Sequence, residues 1–168
     1  RDPYRYGGTE LLPNVLDLAK SAAEFESMIS DLLSVRRSVA TSVLTHLSNG
    51  LGPDSIHSVS RAIDRFSTAI EKEVDPNTLC RIDNDIYRTL LSAIGTPVLQ
   101  LFVNPILETL SSYPKFVHAQ YTRPREHLVG WRLFEAWLSE PGSFPLEQII
   151  GQLEKRDLHT LSRLRTLG

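Results

Sequence analysis

The sequence has very little cysteine, no long apolar run and no excess of positive charge. Its single cysteine, Cys80, excludes an internal disulfide and a cysteine-based zinc site, and this usage favours a reducing cytoplasm. No apolar run approaches the ~20 residues that a membrane-spanning helix needs, and residues 1–8 lack the apolar core of a secretory signal. The net charge of −2 argues against a nucleic-acid-binding surface, which is usually strongly basic.

Sequence motifs that indicate an enzyme are also absent. There is no glycine-rich phosphate loop, no Gly-x-Ser-x-Gly elbow and no His-Glu-x-x-His zinc motif. The histidines show no metal-ligand spacing, and each is interpreted as a surface histidine or a hydrogen-bonded one. They are His46, His57, His118, His127 and His159. We therefore expect no enzymatic activity, no metal and no cofactor.

The apolar residues that are present follow a helical period. The chain of 168 residues fits one domain, and no segment alternates apolar and polar residues as a half-buried strand does. Apolar residues recur instead three and four positions apart, which predicts an all-α antiparallel bundle of six or seven helices. We expect a lead-in over residues 1–8 and the bundle over 9–168. After a short helix opened by Thr9, the predicted helices are about 23–48, 53–70, 77–94, 97–118, 125–139 and 145–165.

Glycine and proline mark the ends of these helices. Gly95 is expected to close one helix, Thr96 to cap the next, and Pro97 to occupy the first turn of that next helix. Pro105 lies inside the helix predicted over 97–118, where the missing N–H group should bend it.

Four charged residues lie on apolar helix faces, and these are the candidate functional residues. Asp83 shares its face with Leu79, Ile86 and Leu90, so its carboxylate is expected to be buried. A buried charge needs a partner, because isolated burial is very costly. The other three charges placed in apolar stripes are Arg36, Arg132 and Asp157.

Two interpretations of this cluster remain open. It could be a buried ion-pair network that only fixes the packing of a ligand-free interaction module. It could instead line an interior pocket in which Arg36 or Arg132 binds an anionic, partly apolar effector. Arginine suits the second role, because its planar guanidinium binds carboxylate or phosphate through two hydrogen bonds.

Three segments resemble a known family. They are Leu32-Leu33-Ser34-Val35-Arg36, Asp83-Asn84-Asp85-Ile86-Tyr87-Arg88-Thr89-Leu90 and Ala93-Ile94-Gly95-Thr96-Pro97. In order and spacing they resemble the C-terminal domain of FadR-subfamily regulators of the GntR family. The resemblance implies a helical bundle that binds an effector, forms a homodimer and controls an N-terminal winged helix-turn-helix domain. Arg1 would fall just after that DNA-binding domain, so the resemblance implies a fragment or a chain that has lost it.

The resemblance also bears on the candidate site. Many relatives hold a metal ion with one Asp and three His, of which Asp83 matches the Asp. Tyr87 and Arg132 stand at the first two His positions, while Asp157 and His159 both lie near the third. A permanently protonated arginine repels a divalent ion, so no metal is expected. One relative with a similar metal-free pattern senses long-chain acyl-CoA. An acyl-CoA or another organic anion is therefore the implied effector, and its binding residues would be Arg36, Asp83, Tyr87, Arg132 and Asp157.

Overall fold

The computed structural model of the chain describes residues 9–167. A 3-10 helix at Thr9–Leu18 precedes seven α-helices. These are α1 (Ala22–Leu47), α2 (Pro53–Glu71), α3 (Pro76–Ile94), α4 (Pro97–Ser111), α5 (Pro114–Gln120), α6 (Pro124–Ser139) and α7 (Leu146–Leu167). The described part is 84% helical and has no strand, which confirms the predicted all-α helical bundle. The predicted lead-in over residues 1–8 lies outside the described residues.

Short polar side chains and proline set the starts of the helices. The hydroxyl oxygen of Ser21 accepts a hydrogen bond from the backbone N–H of Glu24 and caps α1. Five helices, α2 to α6, begin with proline, whose missing N–H would be unpaired in the first turn anyway. Gly95 closes α3 in the left-handed conformation, as predicted. Thr96 stands at the capping position of α4, but its side chain makes no capping hydrogen bond, contrary to the expectation.

The helix predicted over 97–118 is in fact two helices. α4 ends at Ser111, and α5 begins at Pro114. The physical reason is Pro114, which donates no backbone hydrogen bond and disfavours the helical conformation of the residue before it. That residue, Tyr113, has extended backbone angles of φ −104° and ψ 106°. Pro105 is different, because α4 continues through it.

The helices pack around one apolar core. α2 packs against α3 and α6, α7 packs against α1, α5 and α6, and the 3-10 helix packs against α4. Six of the largest fully buried side chains are Leu33, Phe66, Ile86, Leu107, Phe116 and Trp137. Within residues 9–167, no helix is both long enough and apolar enough to cross a membrane. This packing brings α1, α3, α6 and α7 around one interior region, which holds the candidate site.

Candidate ligand-binding site

Asp83 is fully buried on α3, as predicted. Its Oδ1 atom accepts a hydrogen bond from the indole Nε1 of Trp131 at 2.5 Å, and its Oδ2 atom accepts one from the hydroxyl of Tyr121 at 2.7 Å. The same Oδ2 lies 3.7 Å from Nδ1 of His127 and 3.9 Å from Nη1 of Arg156. The buried carboxylate thus has hydrogen-bond donors and a cation around it, as burial of a charge requires.

The protonation states in this cluster follow from its geometry. Burial alone would raise the pKa of Asp83, but the neighbouring His127 ring, the charge of Arg156 and the hydrogen bond from Tyr121 outweigh burial and lower that pKa. Burial, together with the neighbouring charge of Asp83, raises the pKa of Tyr121 well above its usual value. Burial, together with the charge of Arg156, lowers the pKa of His127. At neutral pH, Asp83 and Arg156 are therefore charged, whereas Tyr121 and His127 are neutral.

A second buried ion pair joins α1 to α7. Arg36 donates a hydrogen bond from Nη2 to Oδ1 of Asp157, and both side chains are buried, as predicted. Arg37, the next residue on α1, also contacts this carboxylate, because its Nη1 lies 2.6 Å from Oδ2 of Asp157. Its long side chain runs inward from the helix flank to reach that carboxylate. Asp157 therefore has two arginine partners.

Arg132 is not part of this site, contrary to the prediction. Its side chain is 41% exposed, and it forms ion pairs with Asp64 and Glu135, each at 2.7 Å. The prediction set the buried face of α6 about one residue out of phase. The buried side chains of α6 are His127, Trp131, Phe134, Trp137 and Leu138.

Arg156 and His127 are site residues that the prediction missed, as are Arg37, which pairs with Asp157, and Tyr121 and Trp131, which donate to Asp83. Arg156 shares a stripe on α7 with Ile149, Leu153 and Thr160, at spacings of four, seven and eleven residues from Ile149. His127 shares an equivalent stripe on α6 with Trp131. The helical period that located Asp83 is therefore present for both residues, although the prediction placed Arg132 and Asp157 on the buried faces of the same two helices.

A cavity of about 80 Å³ lies between these helices. One buried water needs roughly 10–15 Å³ by the same measure, so the cavity has room for several waters or a short hydrocarbon chain. Arg36, Tyr87, His127 and Arg156 line it, together with Glu126 and Gln152. The rest of the wall is mostly apolar: Val39, Ala40, Val43, Leu44, Leu90, Leu91, Val103, Trp131, Phe134, Ile149 and Leu153, with Gly130 completing it. The lining, apolar with a few placed polar groups, is typical of a small-molecule site, but the volume is well below the roughly 300–1,000 Å³ of a drug-sized pocket.

Both arginines of the cavity wall keep a donor without a partner. The Nε–H groups of Arg36 and Arg156 are buried and have no hydrogen-bond acceptor among residues 9–167. The other end of Arg156 is engaged, because its Nη2 donates to the hydroxyl of Tyr87 at 2.8 Å. An unpaired buried donor costs about 1–3 kcal/mol, and such groups are rare in native proteins. An acceptor brought by a ligand would relieve that cost after a small shift of the side chains.

The charged groups in and around the cavity are three arginines and three carboxylates. Arg36, Arg37 and Arg156 are three positive groups, whereas Asp83 and Asp157 are two negative groups. Glu126, which also lines the cavity, is a third negative group, and Arg37 does not line the cavity. The count therefore leaves no excess of positive charge at the cavity wall.

In the described part of the chain, no group of three or more His, Cys, Asp or Glu side chains is placed to hold a metal ion. No protein-family model, curated protein or solved structure matches the chain. Function must therefore be inferred from the side chains around the cavity and from the sequence resemblance.

Proposed function

We propose that this chain is the effector-binding and dimerisation domain of a FadR-like regulator of the GntR family. In this proposal an organic anion with an apolar part binds in the cavity between α1, α3, α6 and α7. Binding favours one arrangement of the helices and thereby changes the DNA affinity of a winged helix-turn-helix domain outside this sequence, in a cytoplasmic regulator.

The observation that carries the proposal is a pair of buried arginine Nε–H groups without an acceptor among the described residues, on two residues that line an apolar cavity. These two residues are Arg36 and Arg156. A carboxylate or a thioester carbonyl would supply the missing acceptor, while the hydrocarbon part of the ligand would contact the apolar wall.

The remaining predicted residues have supporting roles in this arrangement. Asp157 holds the guanidinium of Arg36, and Tyr87 holds the Nη2 end of Arg156. Asp83 lies behind His127 and Arg156 and does not line the cavity itself. We assign Asp83 the role of orienting Arg156. Arg156 in turn replaces Arg132 as the second arginine that binds the effector.

The alternative function is a ligand-free interaction module with a structural ion-pair network. One observation favours it: Arg36 already pairs with Asp157, and Arg156 already faces Asp83. In that case the cluster would only specify helix packing, and no small molecule would stabilise the fold.

The test is a binding titration with a series of straight-chain carboxylates from butanoate to decanoate, with the neutral amides of the same lengths as matched ligands. Octanoyl-CoA tests the acyl-CoA form of the effector. Trp131 lines the cavity, so its fluorescence should report occupancy. We expect one or more carboxylates, or the acyl-CoA, to bind at least tenfold more tightly than the amides, a difference of about 1.4 kcal/mol.

The Arg36→Ala variant separates the two functions. Asp157 keeps Arg37 as a partner in this variant, so the fold should lose less stability than a fully broken ion pair would cost. Binding should weaken at least tenfold, whereas the control Arg132→Ala, which removes two ion pairs outside the cavity, should leave binding unchanged. Loss of stability without any binding by the wild-type protein would establish the structural network instead.

A further inference from the structure

We infer that binding of an anion in this cavity draws a proton onto His127, so that affinity for a carboxylate rises as the pH falls. The inference rests on the proposed function, because it concerns the same cavity. It assigns to His127 a role that the sequence did not indicate.

The position of His127 suits a residue that gains a proton on binding. Its ring is buried on α6 and lines the cavity. Its Nδ1 atom lies 3.5 Å from Nη1 of Arg156 and 3.7 Å from Oδ2 of Asp83. In the neutral ring Nδ1 can accept from Arg156, whereas in the imidazolium ion Nδ1–H can donate to Asp83. Asp83 is thus already placed as the partner of the protonated form.

The other groups that face His127 come from every helix around it. The Asp83 carboxylate and the Tyr87 phenol lie on α3, Arg36 lies on α1, and Arg156 lies on α7. The ring of Tyr121 lies 5.0 Å from that of His127. Glu126 on α6 lines the same cavity, and the buried thiol of Cys80, with a raised pKa, is neutral. Among these groups, the cation Arg156 is the nearest charge that opposes protonation.

The empty and the occupied cavity therefore favour different forms of the ring. Without a ligand, burial and the charge of Arg156 lower the pKa of His127 below its usual value of 6.5. A carboxylate bound at Arg36 and Arg156 would add a negative charge beside the ring. A negative charge within ~4–6 Å favours the protonated form of histidine. The occupied protein should hence take up a proton from solvent in the pH range where the free protein does not.

Calorimetry with hexanoate as the probe tests this inference. Titrations are run at about pH 6.5, near the unperturbed pKa of histidine, in MES and in imidazole buffer, which differ in ionisation enthalpy. The difference in apparent binding enthalpy should correspond to uptake of up to one proton per hexanoate. As the pH increases, the dissociation constant for hexanoate should rise by up to about tenfold per pH unit, over the pH range in which the complex takes up the proton. Protonation of hexanoate itself acts in the opposite direction, so it cannot mimic this dependence.

The matched variants are His127→Gln and His118→Gln, the second at an exposed histidine on α5. We expect proton uptake to vanish in His127→Gln and to persist in His118→Gln. Should His127→Gln fail to fold, nuclear magnetic resonance of the wild-type histidine rings gives the same answer, because the pKa of His127 should rise when hexanoate is added.

The outcomes separate the inference from the proposed function. Tight binding of hexanoate with no proton uptake and no pH dependence would overturn the role of His127 and leave the anion site standing. Absence of binding by hexanoate, by the other carboxylates and by octanoyl-CoA would overturn both.

Discussion

Asp83 has an environment that few carboxylates in this chain share, because it is fully buried and has both donors and a cation around it. The Asp83→Asn change keeps the shape of the side chain but removes the charge that faces Arg156. Removing one partner of a buried ion pair typically costs about 3–5 kcal/mol, because the other charge is left uncompensated. We expect a decrease of that size in the free energy of unfolding, measured by urea denaturation.

Asp85→Asn is the matched control, two residues along the same helix. The Asp85 side chain is half exposed and pairs with Arg88 at 3.2 Å on the helix surface. An exposed pair of this kind contributes less than about 1 kcal/mol. Equal losses in Asp83→Asn and Asp85→Asn would mean that the buried network adds nothing to stability.

At this scale the sequence predicted some residues of the site and missed others. Asp83, Arg36 and Asp157 were found because each interrupts an apolar stripe of a helix whose phase is clear. The prediction that Arg132 faces the interior was wrong, because α6 carries apolar residues on more than one side, among them the exposed Val129. Periodicity gives the buried face of such a helix poorly, and only packing against α2 and α7 decides it.

Among the helices, the junction between α3 and α4 depends on one glycine. Gly95 has φ +69°, and an added Cβ would meet no atom within 4 Å, so a side chain there costs only backbone strain. We expect Gly95→Ala to lower the free energy of unfolding by about 1 kcal/mol, because alanine disfavours the left-handed conformation.

Gly151→Ala provides a control of opposite sign. Gly151 lies within α7 and is exposed, and an added Cβ would again meet no atom within 4 Å. Alanine in a helix interior is more favourable than glycine by roughly 0.5–1 kcal/mol, so this variant should be stabilised. Both effects can be read from urea denaturation, and a stabilised Gly95→Ala would show that this junction does not need glycine.

Helix ends were predictable where glycine or proline separates two apolar stripes. Gly95 and Pro97 gave the correct boundary between α3 and α4. The boundary at Pro114 was missed because apolar residues continue on both sides of it, which made the period look unbroken. Pro105 is equally surrounded by apolar residues, yet the helix continues through it. Local sequence does not distinguish these two prolines, since tertiary packing decides which helix ends.

For the whole molecule, the cavity could not be located from sequence, because it is formed by helices that are distant along the chain. One face of α4 lines this cavity, and another face of the same helix is exposed to solvent. Val103 lines the cavity, whereas Val98, Leu101 and Phe102 of the same helix are 62%, 69% and 52% exposed. A ligand that shifts α4 from inside would therefore move an exposed apolar face.

That exposed face is where we expect the proposed homodimer to form. Residues 97–107 include no charged residue, so two copies of this part of α4 can approach without bringing like charges together. Exposed apolar side chains in a continuous stripe mark interaction surfaces. Leu101→Glu places a charge in the centre of the stripe and should convert a wild-type dimer to monomer in sedimentation velocity.

Val129→Glu is the control, because Val129 is similarly exposed but lies on α6. This variant should remain dimeric. Hexanoate should change the dimer dissociation constant of both the wild type and Val129→Glu, because Val103 of α4 lines the cavity. A monomeric wild-type protein would contradict dimerisation altogether. A dimer that persists in Leu101→Glu but not in Val129→Glu would move the interface from α4 to α6 and would break the proposed link between the cavity and assembly.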